Sequence, residues 1–509
     1  MNKQKQGENQ AHESPFSIQT LGQLRTSGYT PKSIRQELRD NLIQHLKAGT
    51  TVFGGVHGYQ DSVLPELERA ILSQHHILLL GLRGQAKTRL ARLMVKLLDE
   101  YIPVVVGSEL NDDPLNPLSR FAIDLIAEKG DETSITWLHR DERYVEKLAT
   151  PDVSVADLIG DSDPIKAATL KLPYSDERTI HYGLIPRAHR CIFTINELPD
   201  LQPRIQVALF NILQEGDIQI RGFKLRLPLD LQFVFTANPE DYTNRGSIVT
   251  PLKDRIDSQI ITHYPGHISI GRMITSQEAK IKPSQLSSIE VPSLALDLIE
   301  QIAIQARQSE YVDAKSGVSA RLTISALENL YSAAERRILI NQEAKTTARI
   351  ADLWGVLPSI TGKIELVYEG EQEGAGLVAQ NLIGKAIRAQ YLDYLPDPEK
   401  LKKKKKDKEG APVANPYTAI QDWFGDGNQV DLLNNATAEQ YEQTLYGING
   451  LYGLVHQYFP KVEGTELLFM MEFALHGMAE YGLVSRGSLH NGLQFKDMMS
   501  GMLGNVMGE

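Results

Sequence analysis

One cysteine, Cys191, stands among 509 residues, so no disulfide can form within the chain, which fits a reducing compartment. No apolar run approaches the ~20 residues that span a bilayer, and the first residues show no signal-peptide core. The sequence therefore reads as cytoplasmic, with no membrane insertion. Positive charge is not in excess: 53 Lys and Arg against 64 Asp and Glu give a formal net charge of −11. That balance argues against nucleic acid as the main partner. A helix-turn-helix is missing at both ends, as are a metal cluster with ligand spacing and a catalytic triad. What is there is an ordinary globular composition, 42% hydrophobic and 23% charged. The length allows about three domains at ~150 residues each.

The chemistry concentrates between His75 and Leu98. A short apolar run, Ile77 to Leu80, leads into Gly81-Leu82-Arg83-Gly84-Gln85-Ala86-Lys87-Thr88-Arg89. Leu90, Leu93, Met94, Leu97 and Leu98 follow at helical spacing. A buried strand, a glycine turn and a helix opening on Lys-Thr make the pattern of a phosphate-binding loop. Backbone N–H groups at such a turn receive phosphate oxygens. Gly81 and Gly84 let the backbone curl closely around them. Lys87 can reach the β/γ-phosphates, and the Thr88 hydroxyl can ligate Mg²⁺. The pattern GxxxxGK[ST] has glycine where this chain has Ala86. Taken alone, the stretch also fits an ordinary β–turn–α unit.

Along the chain, residues 1 to 34 are polar and read as a mobile segment. Pro31 to Leu46 is charged and amphipathic. The glycine-rich stretch from Phe53 to Gln60, with the helical pattern Leu64, Leu67, Ala70, Ile71 and Leu72 behind it, is placed to cover an adenine base. Further strands are predicted at Ile102–Val106, Cys191–Ile195 and from Leu231 towards Asn238, and a hairpin around Gly222 within 217–230. Residues 108–190 are mixed and loop-rich. Strands alternating with helices over 35–263 predict an α/β domain with a parallel sheet, whose ligands sit at the carboxyl ends of the strands. Lys87-Thr88, Asn196-Glu197 and Asn238 all fall at such ends.

From 264 to 398 the periodicity is helical (Leu294–Arg307, Thr323–Ile340, Ala348–Leu357, Leu377–Leu395) and predicts an all-α domain. Lys402 to Lys406 lie in a Lys-rich linker, 399–416, either solvated or a basic patch for an acidic partner. Residues 417–509 read as a small helical module. Its tail, Met498, Met499, Met502 and Met507, forms a partner surface, packs as core or frays.

Hydrolysing ATP requires a phosphate cradle, Mg²⁺, a positioned water and positive charge on the transition state. Glu197 is placed to polarise the water, or is simply a carboxylate at a helix N-terminus. Asn238 orients the same water or caps the turn before Pro239. Arg255, in Pro251-Leu252-Lys253-Asp254-Arg255-Ile256, is an arginine finger for a neighbouring subunit or a helix-surface arginine.

Phosphate loop, Ile-Asn-Glu, Phe-Thr-Ala-Asn-Pro-Glu and Leu-Lys-Asp-Arg-Ile, in this order, resemble an AAA+ ATPase. The segment HYGLIPRAHRCIFTINELPDL, with LFNILQEG after it, narrows the resemblance to the branch of MoxR proteins and the I subunit of magnesium chelatase, over residues 50–340. That branch often carries Ala-Lys-Thr in its loop, as at Ala86. The resemblance implies a P-loop core, an all-α lid and a C-terminal helical extension, with ATP and Mg²⁺ as cofactors. By position it makes Lys87 and Thr88 the Walker A residues, Glu197 the Walker B glutamate, Asn238 sensor 1, Arg255 the trans-acting finger and Arg321 sensor 2. The family's helix-2 insert falls near 160–185 and its pre-sensor hairpin near 217–230.

Asn196 departs from the family, which has an aspartate there to anchor the Mg²⁺ water shell beside Thr88. Hydrogen bonding is kept and a charge is lost, so the expectation is a slow but real ATPase. The resemblance further implies a homo-oligomeric ring, a hexamer, that remodels or activates a partner with a von Willebrand A domain. No Asp-x-Ser-x-Ser occurs here, so that domain belongs to another chain. One alternative is a magnesium-chelatase motor for metal insertion into a tetrapyrrole, disfavoured by ~110–150 residues beyond the matched domains. Another is an ATP-binding switch or scaffold with little turnover, favoured by Asn196. An enhancer-binding transcription activator lacks support.

Overall fold

The computed structural model describes residues 15–173, 176–220, 226–239, 247–403 and 415–498. The chain divides into two compact units, Met1–His263 and Tyr264–Glu509.

The first unit is built on five parallel strands: β1 (Ile77–Leu80), β2 (Tyr144–Leu148), β3 (Cys191–Asn196), β4 (Leu231–Ala237) and β5 (Ser258–Ile261). Their order across the sheet is β5-β1-β4-β3-β2. Every residue of β3 and β4 is buried, which is why both read as unbroken apolar runs: helices cover both faces. The two-residue alternation of a strand then sorts side chains by face. Leu78, Phe193, Phe233 and Phe235 pack with Ile205, Leu209 and Ile212 of α4 (Pro203–Glu215). Ile77, Leu79, Ile192 and Val234 pack the other way, against α1 (Ile34–Ala48), α2 (Val63–Leu72) and α3 (Lys87–Leu93). Helix α1 starts where the Ser33 hydroxyl accepts from the Gln36 N–H and stops at Gly49, whose φ of 66° is left-handed.

Several sequence expectations change here. Of the stretch 1–34 expected to be mobile, residues from Pro15 onward are described and include a short helix, Leu21–Thr26. Leu21 and Leu24 are fully buried, and Thr20 and Gln23 form a capping box. The Ile102–Val106 strand exists as Tyr101–Val105, but it pairs antiparallel with Ile135–His139 outside the central sheet. Its place is taken by β2, inside the stretch read as loop-rich. Within 160–185, Gly160–Ser162 and Ile180–Tyr182 pair as short antiparallel strands, and a helix, Pro164–Leu170, lies between them in sequence. Asp217–Gln219 pairs antiparallel with Arg226–Pro228, as the hairpin reading has it, while Gly222 lies outside the described residues.

The second unit is organised by α5 (Ser293–Gln308), α6 (Arg321–Asn341), α7 (Ala375–Tyr394) and α8 (Gly464–Glu480). Its fold is mainly helical, and the part read as a small helical module, 417–509, also holds strands. Strands Val430–Leu433, Gly492–Lys496 and Ser485–Leu489 form an antiparallel sheet in that order. The expected helix at Ala348–Leu357 is instead a 3₁₀ stretch, Ile350–Val356, that hands over to a short α-helix at Leu357–Thr361 with Pro358 in its first turn. Residues of 417–495 share one core with the helices before them: Tyr417, Phe424, Phe473 and Phe495 cluster with Leu298, Leu322 and Ile387. Met499, Met502 and Met507, and most of the Lys-rich linker, lie outside the described residues. Among the described residues no helix is long and apolar enough to cross a membrane.

Candidate functional site

Strand β1 ends at Leu80, and the Gly81 N–H donates to the Ala237 carbonyl at 3.1 Å. A Cβ on Gly81 would stand 2.0 Å from Thr262 Oγ1 and 2.2 Å from Gln85 Oε1, so only glycine fits. Those two groups are themselves joined, Thr262 Oγ1 donating to Gln85 Oε1 at 2.7 Å. The loop turns through two left-handed residues, Gly84 at φ 76° and Ala86 at φ 57°. Such turns aim successive N–H groups into one concavity, which is an anion cradle. At Ala86 the conformation costs about 1–2 kcal/mol, which explains why the loop pattern has glycine there.

Lys87 opens α3 with its ammonium folded back into this cradle. It donates to the Gly81 carbonyl, to the Leu82 carbonyl at 2.9 Å and to Asn238 Oδ1 at 2.8 Å. Thr88 Oγ1 donates to Asn196 Oδ1 at 3.2 Å, and Thr236 Oγ1 donates to the same oxygen at 3.1 Å. The sheet register makes this meeting possible. Ile195 pairs with Phe235, so Asn196 and Thr236 are neighbours one step further on, on the face that α3 covers. Lys87, Thr88, Asn196 and Asn238, separated by up to 151 positions, thus join in one polar cluster at the strand ends.

Asn196 has a third partner that the sequence reading misses. Its Nδ2 donates to Glu146 Oε1 at 2.6 Å. Glu146 lies on the adjacent strand β2, paired with Thr194 and therefore diagonal to Asn196 on the same face. Its other oxygen accepts from Arg92 Nε at 3.0 Å, Arg92 Nη2 at 2.9 Å and the Tyr144 hydroxyl at 3.1 Å. The Glu146 hydrogen bond raises the Arg92 pKa further above its ordinary value. Burial pushes the Tyr144 phenol up to about 12, so it remains a donor at neutral pH.

Glu197, the first residue past β3, is left-handed at φ 56° and ψ 49°, and its N–H donates to Thr236 Oγ1 at 3.2 Å. A bulky residue in that region marks stored strain. Tyr59, from the glycine-rich stretch before α2, places its hydroxyl 2.9 Å from both the Gln85 and the His263 carbonyl oxygens. That stretch therefore touches the phosphate loop. Arg255 and Arg321 are the remaining expected site residues. Arg255 donates to Gln214 Oε1 at 3.0 Å and to the Pro251 carbonyl at 2.7 Å, and sits 5.1 Å over the Phe210 ring. Arg321 is the exposed first residue of α6 in the second unit. Among the described residues, no group of three or more His, Cys, Asp or Glu could hold a metal ion.

No family model matches the sequence. Among solved structures, the chain is similar to NtrX from Brucella abortus at 14% identity, over 57% of this chain and 55% of that one, with a TM-score of 0.32. It therefore spans about half of the NtrX chain. It is similar to the complex between BchI and BchD of magnesium chelatase at 18% identity, over 63% and 98% of the two chains, with a TM-score of 0.32. RuvB from Thermotoga maritima matches at 12% identity, over 70% of this chain and 80% of that one, with a TM-score of 0.32. Similarity at this level assigns no activity, substrate or partner.

Proposed function

We propose that this chain is an AAA+ ATPase of the MoxR and magnesium-chelatase-I type, which assembles into a ring and uses ATP to remodel or activate a partner protein. The observation that carries this reading is the Lys87–Asn238 and Thr88–Asn196 contacts at the carboxyl ends of parallel strands. The residues present fit a phosphate chain. Lys87 already draws three oxygens around its ammonium, and those are the acceptors that phosphate oxygens would replace. Mg²⁺ bound with ATP supplies positive charge against the β- and γ-phosphate oxygens, and Thr88 and Asn196 are the residues that would hold it. Glu197 holds the attacking water and accepts its proton, with Asn238 orienting the same water from β4. Arg255 serves a neighbouring subunit in a hexamer, and Arg321 completes the site from the lid. The partner of this reading carries a von Willebrand A domain, and the ring acts in the cytoplasm.

Steady-state ATP hydrolysis by the full chain, wild type beside Glu197→Gln, tests the reading, with particle size measured with and without ATP. The expected result is a loss of about a hundredfold or more in the variant, with an ATP-dependent assembly. A wild type that binds neither ATP nor ADP overturns it. A second reading rests on Asn196: a nucleotide-dependent switch with little turnover, which would bind ATP tightly and hydrolyse it no faster than Glu197→Gln does.

A further inference from the structure

We propose that Glu146 is a positioning residue for Mg²⁺, acting through Asn196, so that the Asn196–Glu146 pair together does the work of one strand-end carboxylate. The inference rests on the nucleotide reading above and deepens it. An ionised carboxylate only accepts hydrogen bonds, whereas an asparagine side chain has one donating and one accepting end. Glu146 Oε1, 2.6 Å from Asn196, therefore fixes which way the amide points. Turned the other way, Asn196 Oδ1 would face a carboxylate oxygen at contact. With Nδ2 held by Glu146, Oδ1 is committed to the side of Thr88 and Thr236, both of which donate to it.

The amide is also polarised. A full negative charge at its N–H end draws electron density towards Oδ1, the end that faces the Thr88 hydroxyl. Glu146 can keep this role because its second oxygen is secured by the Arg92 guanidinium and the Tyr144 phenol. The negative charge missing at position 196 has thus moved one strand along rather than vanished.

One consequence separates this from a simple loss of charge. If Asn196 were merely a weakened aspartate, Asn196→Asp would tighten metal binding. If the pair is the unit, Asn196→Asp sets two carboxylates against each other at hydrogen-bond distance, and metal binding weakens. The double variant Glu146→Gln/Asn196→Asp reverses the arrangement: the glutamine amide donates to the new aspartate, and one carboxylate is again present.

The experiment uses the full chain and the probes Mg²⁺ and Mn²⁺. Binding of a fluorescent ATP analogue is titrated with Mg²⁺, and Mn²⁺ binding at fixed ATP is followed by electron paramagnetic resonance. Metal-free nucleotide binding and the thermal transition are recorded for every variant, since a merely structural role would move those as well. We expect Glu146→Gln and Asn196→Asp each to raise the metal midpoint at least about tenfold. The double variant is expected to return to within about threefold of wild type, with metal-free binding little changed throughout. Tighter metal binding by Asn196→Asp, an unmoved midpoint in Glu146→Gln, or a double variant no better than the singles overturns the inference alone. A wild type that binds no nucleotide overturns it together with the nucleotide reading.

Discussion

Two residues, Ala86 and Glu197, stand in the left-handed region on either side of the phosphate cluster. Glu197 follows directly on β3, and Ala86 is the last residue before α3. Replacing Ala86 with glycine removes the Cβ strain and adds freedom to the unfolded chain, and the two effects partly cancel. The expected outcome is a net gain of between 0 and about 1 kcal/mol in urea unfolding, with nucleotide binding retained. At this scale the sequence was legible wherever a polar residue closes an apolar run, which is how Lys87, Thr88, Asn196, Glu197 and Asn238 stand out. Glu146, Thr236 and Tyr59 were not legible, for a shared reason. Their roles come from strand register and from chain segments meeting across the loop, and no local pattern encodes either.

At the scale of elements, α1 is tied to the sheet by a buried ion pair. Arg143, at the head of β2, donates to Glu37 Oε1 at 2.6 Å and Oε2 at 2.8 Å, and both side chains are nearly inaccessible. Glu37→Ala leaves a buried guanidinium without its counter-charge and is expected to cost about 3–5 kcal/mol in denaturant unfolding. Replacing both residues with methionine is expected to cost less than that single change.

Two histidines hold the opposite end of the sheet from the phosphate cluster. His76 Nδ1 accepts from the Phe233 N–H at 3.2 Å, and His189 Nδ1 accepts from the Asp230 N–H at 3.0 Å. Burial pushes each down to about 4. The unfolded chain therefore binds more protons between pH 6.5 and about 4, and stability falls as the pH drops through that window. Unfolding free energies from urea titrations at pH 7.5 and pH 5.0 are expected to differ in that direction, by about 2 kcal/mol for each histidine. Central elements were readable because β3 and β4 are buried on both faces. The edge strands β2 and β5 were not: β2 carries two charges among its five residues, a normal way to protect an edge.

Across the whole molecule, the second unit depends on residues far apart in sequence. The Tyr391 ring lies 5.7 Å from Phe473 and 5.5 Å from Tyr481, and a Cβ on Gly477 would stand 1.9 Å from that ring. Gly477→Ala is accordingly expected to destabilise the unit by about 1–3 kcal/mol, read from its thermal transition. Glu472, fully buried, accepts from the Ile350 and Ala351 N–H groups at 2.7 and 2.9 Å and from the Tyr441 hydroxyl at 2.7 Å. Helical periodicity located α5, α6 and α7, but nothing local announces that one core would gather residues from 294 to 495.

The position of β2 at the rim of the sheet has one more consequence. Rim strands are the first to fray, and a strand that reseats one residue out of step turns every side chain to the opposite face. Peeling or slipping β2 would withdraw Glu146 from Asn196 while leaving the phosphate loop and the strands on either side of it in place. The integrity of the sheet's margin and the polarity of the cluster at its strand ends are therefore a single mechanical variable. A force, a neighbour or a mutation acting on that margin tunes the site without touching it.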